Sequence, residues 1–317
     1  MEFSYAILGL VIFLAGAAIY ETRRDPISNS RGWIPVAIGL ILITVISFLL
    51  VPNYAGYISG AALVVFGILP SLGFRLSDRF FAQGKYKDAL RLREMVRLVH
   101  PIHDWAWQRD LFRAYALVAE GEMGAAKAIL EQSIARDKEP SAQHQVLVYH
   151  MTRDWVGLLE WWTHFPDRAQ VEGFQDILAE YIRALGETGD LNKMLAEFER
   201  FQKQLTRVPP RYYCACLYCF AYCGRVEQVS RMLEVGVLQH IDVNMRTVWL
   251  AIAHAASGDI ASAEPLVRSF QHTKDTLLRI PVMRILNRQI PLANQNLSMQ
   301  SREILKSLEE SWLTAIR

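Results

Sequence analysis

Four cysteines stand close together in the second half of the chain, at Cys214, Cys216, Cys219 and Cys223. Thiolates at short spacing are the raw material of zinc sites and redox pairs. Helical geometry argues against both. Cys216, Cys219 and Cys223 would share one helix face while Cys214 points elsewhere. A single helix cannot surround a tetrahedral ion, and no His or second Cys pair follows at finger spacing. The expectation is four buried thiols packing as small hydrophobes.

Ser59 stands in Tyr57-Ile58-Ser59-Gly60, inside an uncharged run. An intramembrane serine protease presents its nucleophile in such a setting, but the serine needs a base within hydrogen-bond reach. The uncharged runs hold no His and no Lys. His100 and His103 flank Pro101, which reads as the end of a helix, and His254 falls among apolar residues. There is no HExxH, no phosphate-binding glycine loop and no kinase signature. The sequence therefore assigns no catalytic, cofactor-binding or metal-binding residue, and no enzymatic activity, to this chain.

The elements that must position any other site announce themselves by repetition. A glycine (once an arginine), a charged residue and an apolar residue recur as Gly84-Lys85-Tyr86, Gly121-Glu122-Met123, Arg153-Asp154-Trp155, Gly189-Asp190-Leu191, Gly224-Arg225-Val226 and Gly258-Asp259-Ile260. Successive copies begin 37, 32, 36, 35 and 34 residues apart. A period of that length belongs to stacked helical hairpins. The glycine can take the left-handed conformation that closes a helix, the charged residue lies at the turn, and the apolar residue opens the buried face of the next helix. Five residues on stand Ala89, Ala126, Leu158, Met194, Val229 and Ala263; four residues back stand Phe80, Leu117, Tyr149, Leu185, Phe220 and His254. Both sets are expected on inner faces.

The first 74 residues are of different material. The stretches 3–20, 33–51 and 54–74 carry no charge, and each is about the length that crosses a hydrocarbon core. Tyr20, Trp33, Tyr54 and Tyr57 lie near their ends, where aromatic rings settle at a membrane interface. Arg23, Arg24 and Arg31 fall between the first two runs; Arg75, Arg79, Lys85 and Lys87 follow the third. With three spans, both basic segments lie on one side, which puts the amino terminus outside and the remainder in the cytoplasm. Gly56 and Gly60, four apart, allow close helix contact in lipid, either within a helical hairpin of the second and third runs or between two copies of the chain.

The fold class expected is all-α: a membrane anchor over 1–74 with spans at about 3–20, 33–51 and 54–74, a helical repeat array over 75–290, and a capping or linker helix over 291–317. In the best copy, Gly84, Tyr86, Ala89 and Pro101 resemble the tetratricopeptide repeat. Arg153 and the missing closing prolines of other copies mark a degenerate version of it. A formal charge of +2 and no basic stripe with interleaved aromatics exclude nucleic acid as an expected partner.

Three passages make the whole chain similar to the amino-terminal, non-catalytic region of cyanobacterial rhomboid-family proteins: Val51-Pro52-Asn53-Tyr54-Ala55-Gly56, Arg183 through Leu191, and Cys223 through Val229. The resemblance implies membrane spans and a helical repeat region preceding a protease domain. The rhomboid serine in Gly-x-Ser-Gly and its partner histidine are not in this sequence, so no catalytic residue carries over. Two functional expectations follow. One is a membrane-anchored scaffold whose array binds another protein at the cytoplasmic face. The alternative is a regulatory or substrate-docking region of a rhomboid-type protease.

Overall fold

The computed structural model describes residues 2–24, 33–101, 105–136, 141–165, 174–238 and 241–315. His103, Arg31 and Ile316 lie outside the described residues. Every regular element among those described is helical, and there is no strand. The chain divides into two compact units, Met1–Arg113 and Ala114–Arg317.

In the first unit, α1 (Glu2–Arg24), α2 (Trp33–Leu50) and α3 (Ala55–Leu63) pack against one another around Val11, Val36, Leu40 and Ala62. A π-helical segment, Val64–Ile68, joins α3 to α4 (Leu69–Ala82) without a break. Two helices are long and apolar enough to cross a membrane, Trp33–Leu50 and Ala55–Ala82. The second runs on past the end of the apolar stretch; its 28 residues span about 42 Å at 1.5 Å per residue. The first apolar run gives a shorter apolar helical stretch, Ser4–Ala17.

Gly56 and Gly60 do bring helices close, but the partner is α1 and not the other helix of the expected hairpin. The Gly56 N–H donates to Ser4 Oγ at 3.0 Å. A Cβ on Gly56 would stand 2.1 Å from the Ser4 carbonyl oxygen, and one on Gly60 would stand 3.1 Å from Ile7. Ser59, on the same helix, is buried and its hydroxyl has no hydrogen-bond partner.

The recurring phrase is a pair of helix caps fused into one turn. All six first residues have positive φ: Gly84 72°, Gly121 89°, Arg153 57°, Gly189 84°, Gly224 69° and Gly258 93°. In every copy the second residue's N–H donates to the carbonyl five residues back, as in Lys85 to Phe80 at 2.9 Å, Asp190 to Leu185 at 2.9 Å and Arg225 to Phe220 at 2.8 Å. The first residue's N–H bonds three back, as in Gly224 to Ala221 at 3.1 Å. This two-bond closure satisfies the last carbonyls of a helix. The charged residue then starts the next helix. Asp154, Asp190 and Asp259 each accept a backbone N–H three residues on, which is the N-cap bond.

All six residues five places on are buried, none more than 1% exposed. Of those four places back, Leu185 and Phe220 are buried, while Phe80, Leu117, Tyr149 and His254 are half-buried. His254 departs from an apolar core position: its Nδ1 lies 3.2 Å from Asp259 Oδ2, at the turn. A seventh turn of the same build follows at Arg288 (φ 55°), with Gln289 N–H to Arg284 O at 2.8 Å and Ala293 buried five places on.

After α5 (Tyr86–Arg97) and α6 (Trp105–Ala119), the second unit carries α7 (Met123–Arg136), α8 (Ala142–Thr152), α9 (Trp155–His164), α10 (Phe174–Glu187), α11 (Leu191–Leu205), α12 (Pro209–Tyr222), α13 (Val226–Glu234), α14 (Val243–Ser257), α15 (Ile260–Val267), α16 (Thr276–Leu286), α17 (Ala293–Asn296) and α18 (Met299–Ala315). Alternate helices form a row, α8 on α10, α10 on α12, α12 on α14 and α14 on α16. The helix expected to cap or link, α18, packs on α11 and α12 and buries Ile304, Leu305, Leu308 and Trp312.

Candidate binding site

The chemistry of this protein collects along that row of alternate helices. On α10, Glu180, Arg183 and Glu187 follow at intervals of three and four, so they share one face. That face meets α8 on one side and α12 on the other, which takes the three charges inward. The approach is tight: a Cβ on Gly186 would lie 2.2 Å from the Tyr222 ring, so only glycine admits α12 at this height.

Arg183 is the centre, 5% exposed. Its guanidinium lies 5.0 Å from the Trp155 ring, 5.0 Å from Trp249 and 5.4 Å from Tyr218. Desolvated cation–π contacts contribute about 2 kcal/mol or more. Two carboxylates answer its charge, Glu180 at 3.9 Å and Glu187 at 3.6 Å. His150 on α8 bonds Glu180 at 2.7 Å. Burial pushes this imidazole below its usual value against the pull of Glu180. Burial works against the charge on Glu180, but His150 and Arg183 outweigh it and hold the carboxyl down at about 2.

Two further arginines enter from the edge. Arg284 on α16 pairs with the Glu187 carboxylate and donates to the Glu187 carbonyl at 3.0 Å, closing an open end of α10. Arg153 reaches in from the α8–α9 turn, with its guanidinium 5.5 Å from Trp155 and a bond of 2.8 Å to the Leu277 carbonyl. Burial, reinforced by Arg183, lowers it to about 10. Arg211 on α12 pairs separately with Asp176 on α10, which also accepts from Gln143 at 3.1 Å.

Sequence reasoning did not find this centre, although one signal pointed to it. Arg153 occupies a left-handed position where glycine costs nothing and an arginine costs roughly 1–2 kcal/mol. Of the six phrases in the sequence, the one that departs from glycine is the one whose side chain enters the centre. Held strain of this kind collects at functional positions.

The residues that the sequence did single out lie elsewhere. Cys214, Cys216, Cys219 and Cys223 form no disulfide and are buried in the core of α12 and its neighbours. Burial pushes the Cys214 and Cys223 thiols up to about 12, which suppresses the nucleophilic thiolate. Among the described residues no group of His, Cys, Asp and Glu is placed to hold a metal ion. His100 is buried between Trp33 (4.3 Å) and Phe74 (5.4 Å), and burial lowers its pKa.

No known protein family, curated protein or solved structure matches this chain, and nothing in those comparisons links it to rhomboid-associated regions.

Proposed function

We propose that this protein is a membrane-anchored scaffold. Three amino-terminal spans hold a tetratricopeptide-like helical array at the cytoplasmic face, with the amino terminus outside, and the array binds another protein. The observation that carries the reading is the fused cap. One turn geometry recurs seven times with a buried residue five places on, as a stacked-hairpin recognition array requires. The anchor rests on an inverted surface: Phe13, Leu49 and Leu50 expose 71%, 73% and 75% of their area, although α1, α2 and α3 pack well internally. Exposed apolar surface of that extent fits lipid. Tethering raises the effective concentration of membrane partners.

Chemical crosslinking in intact membranes, with the adducts identified by mass, tests this reading. A specific adduct with one protein supports it, and adducts no different from those of an unrelated membrane protein refute it. The side is tested by labelling Ser28→Cys with an impermeant thiol reagent. Labelling from outside the cell would overturn the orientation.

A further inference from the structure

We infer that the carboxyl-terminal end of α5 docks on the lipid interface where the third span ends, with Met95 and Leu98 entering the acyl boundary beneath anionic headgroups. The inference rests on the membrane-anchor reading above and extends the membrane contact into the first hairpin of the array. A hydrocarbon core about 30 Å thick takes up about 20 residues of helix. Counted from Ala55, the lipid-crossing part of the continuous α3–α4 helix therefore ends near Phe74, just before the first charge, Arg75. The turn at Gly84 then sends α5 back along α4. A Cβ on Gly73 would stand 2.4 Å from Val96 Cγ2, and the His100 ring lies 4.3 Å from Trp33 and 5.4 Å from Phe74. Val96 and His100 thus stand level with the end of the span, and so do Met95 and Leu98 beside them.

Arg93 locks α5 at that height. Buried, it donates to Asp78 at 2.7 Å, Gln108 at 2.8 Å and Ser77 Oγ at 3.2 Å, and its guanidinium lies 5.3 Å from the Phe74 ring. What α5 turns outward there is apolar. Leu98 is 86% exposed and Met95 65%, and a spacing of three puts them on one face. Leu69 and Leu72 of α4 expose 54% each at the same level, so the apolar surface of the span continues to this depth. The charge nearby has one sign in excess: seven basic and three acidic side chains lie between 75 and 97. Arg75 and Arg97 are exposed, next to Phe74 and Leu98, where long arginine stems can lie along acyl chains and carry their heads to lipid phosphates. An apolar edge flanked by basic residues is the composition of an interfacial helix, and the positive excess selects anionic lipid.

Site-directed spin labelling of the full chain tests this in vesicles of phosphatidylcholine with phosphatidylserine, reading access of oxygen, which concentrates in lipid, against a water-soluble nickel complex. Labels are placed at Leu98→Cys, at Asp88→Cys and at Leu42→Cys, with the unsubstituted chain as background for its buried cysteines. Asp88 is half exposed and stands about 15 Å back along α5 at 1.5 Å per residue; Leu42 is 56% exposed on α2. The oxygen-to-nickel ratio at Leu98 should be severalfold above that at Asp88 and approach that at Leu42. In phosphatidylcholine alone the Leu98 ratio should fall while the Leu42 ratio holds. A Leu98 label as open to nickel as Asp88, or one closed to both reagents and hence covered by protein, would overturn the proposal, as would a Leu98 ratio indifferent to phosphatidylserine. A lipid-exposed Leu42 with a water-exposed Leu98 would sink this inference alone, whereas a nickel-accessible Leu42 would sink the membrane anchor itself.

Discussion

Replacing single turn residues of the second unit separates the two components of the fused cap. Gly258 has φ 93°, and a Cβ there would meet only Leu292 Cδ2 at 3.8 Å, ordinary contact. Gly258→Ala therefore costs the left-handed conformation alone, about 1 kcal/mol. Gly224 has φ 69°, but its Cβ would stand 2.8 Å from the Ser257 backbone nitrogen and 2.9 Å from its Cα. Backbone cannot swing aside as a side-chain tip can, so Gly224→Ala adds an overpacking cost of about 1–3 kcal/mol. Arg288, exposed with φ 55°, runs the other way. Arg288→Gly relieves the strain and gives back part of the gain as unfolded-chain entropy, leaving roughly +0.5 kcal/mol. For a domain of this size each kcal/mol moves Tm by about 2–4 °C. Tryptophan fluorescence during heating of the full chain in micelles should rank the proteins Arg288→Gly, wild type, Gly258→Ala, Gly224→Ala in falling Tm. Equal losses at Gly224 and Gly258, or a destabilised Arg288→Gly, would refute the turn as the organising element.

Three further outcomes are expected. Gly56→Ala should part α1 from α3, because its Cβ falls 2.1 Å from the Ser4 carbonyl; protease resistance of the amino-terminal fragment in membranes should drop, and intact resistance would contradict the contact. Acid should destabilise the second unit in two stages. Both His150 and Glu180 have lowered folded values, so each contributes stability above its unfolded pKa that is lost as pH falls. Loss begins below 6.5 for His150 and continues from 4.5 towards about 2 for Glu180. The Glu180 share is roughly 3 kcal/mol, and Glu180→Gln should flatten that part of a Tm–pH curve. Finally, the four cysteines should resist a thiol reagent in the native protein and all react after denaturation. Fast native labelling would show that the core around α12 is not closed.

The turns were legible in the sequence because their physics selects residue type. A left-handed closing residue favours glycine, an N-cap favours Asp, and a position five places on must be small or apolar to be buried. The copy at Arg288 escaped because it has neither glycine nor a charge in the middle place. The charged centre was illegible for a different reason. Glu180, Arg183 and Glu187 at three- and four-residue spacing read equally well as a solvated ion-pair face, and only the packing of α8 and α12 decides that they point inward. Its other members come from α9, α14 and α16, so no window of sequence contains it. Close approach at Gly56 and Gly60 was readable from their spacing. That the approaching helix is α1 was not, because the contact spans 52 residues and any small-residue face would serve.

Recognition of another protein by the array at the membrane, as proposed, can be read by site-specific photocrosslinking. A photoreactive residue at Val156 or Met283, exposed positions beside Trp155 and Arg284, compared with one at Glu199 on α11, tests it most directly in intact membranes. One discrete heterologous adduct is expected from Val156 or Met283, weakened by Arg153→Gln, and none from Glu199. Equal adduct patterns from all three positions, or no adduct from any, would contradict it.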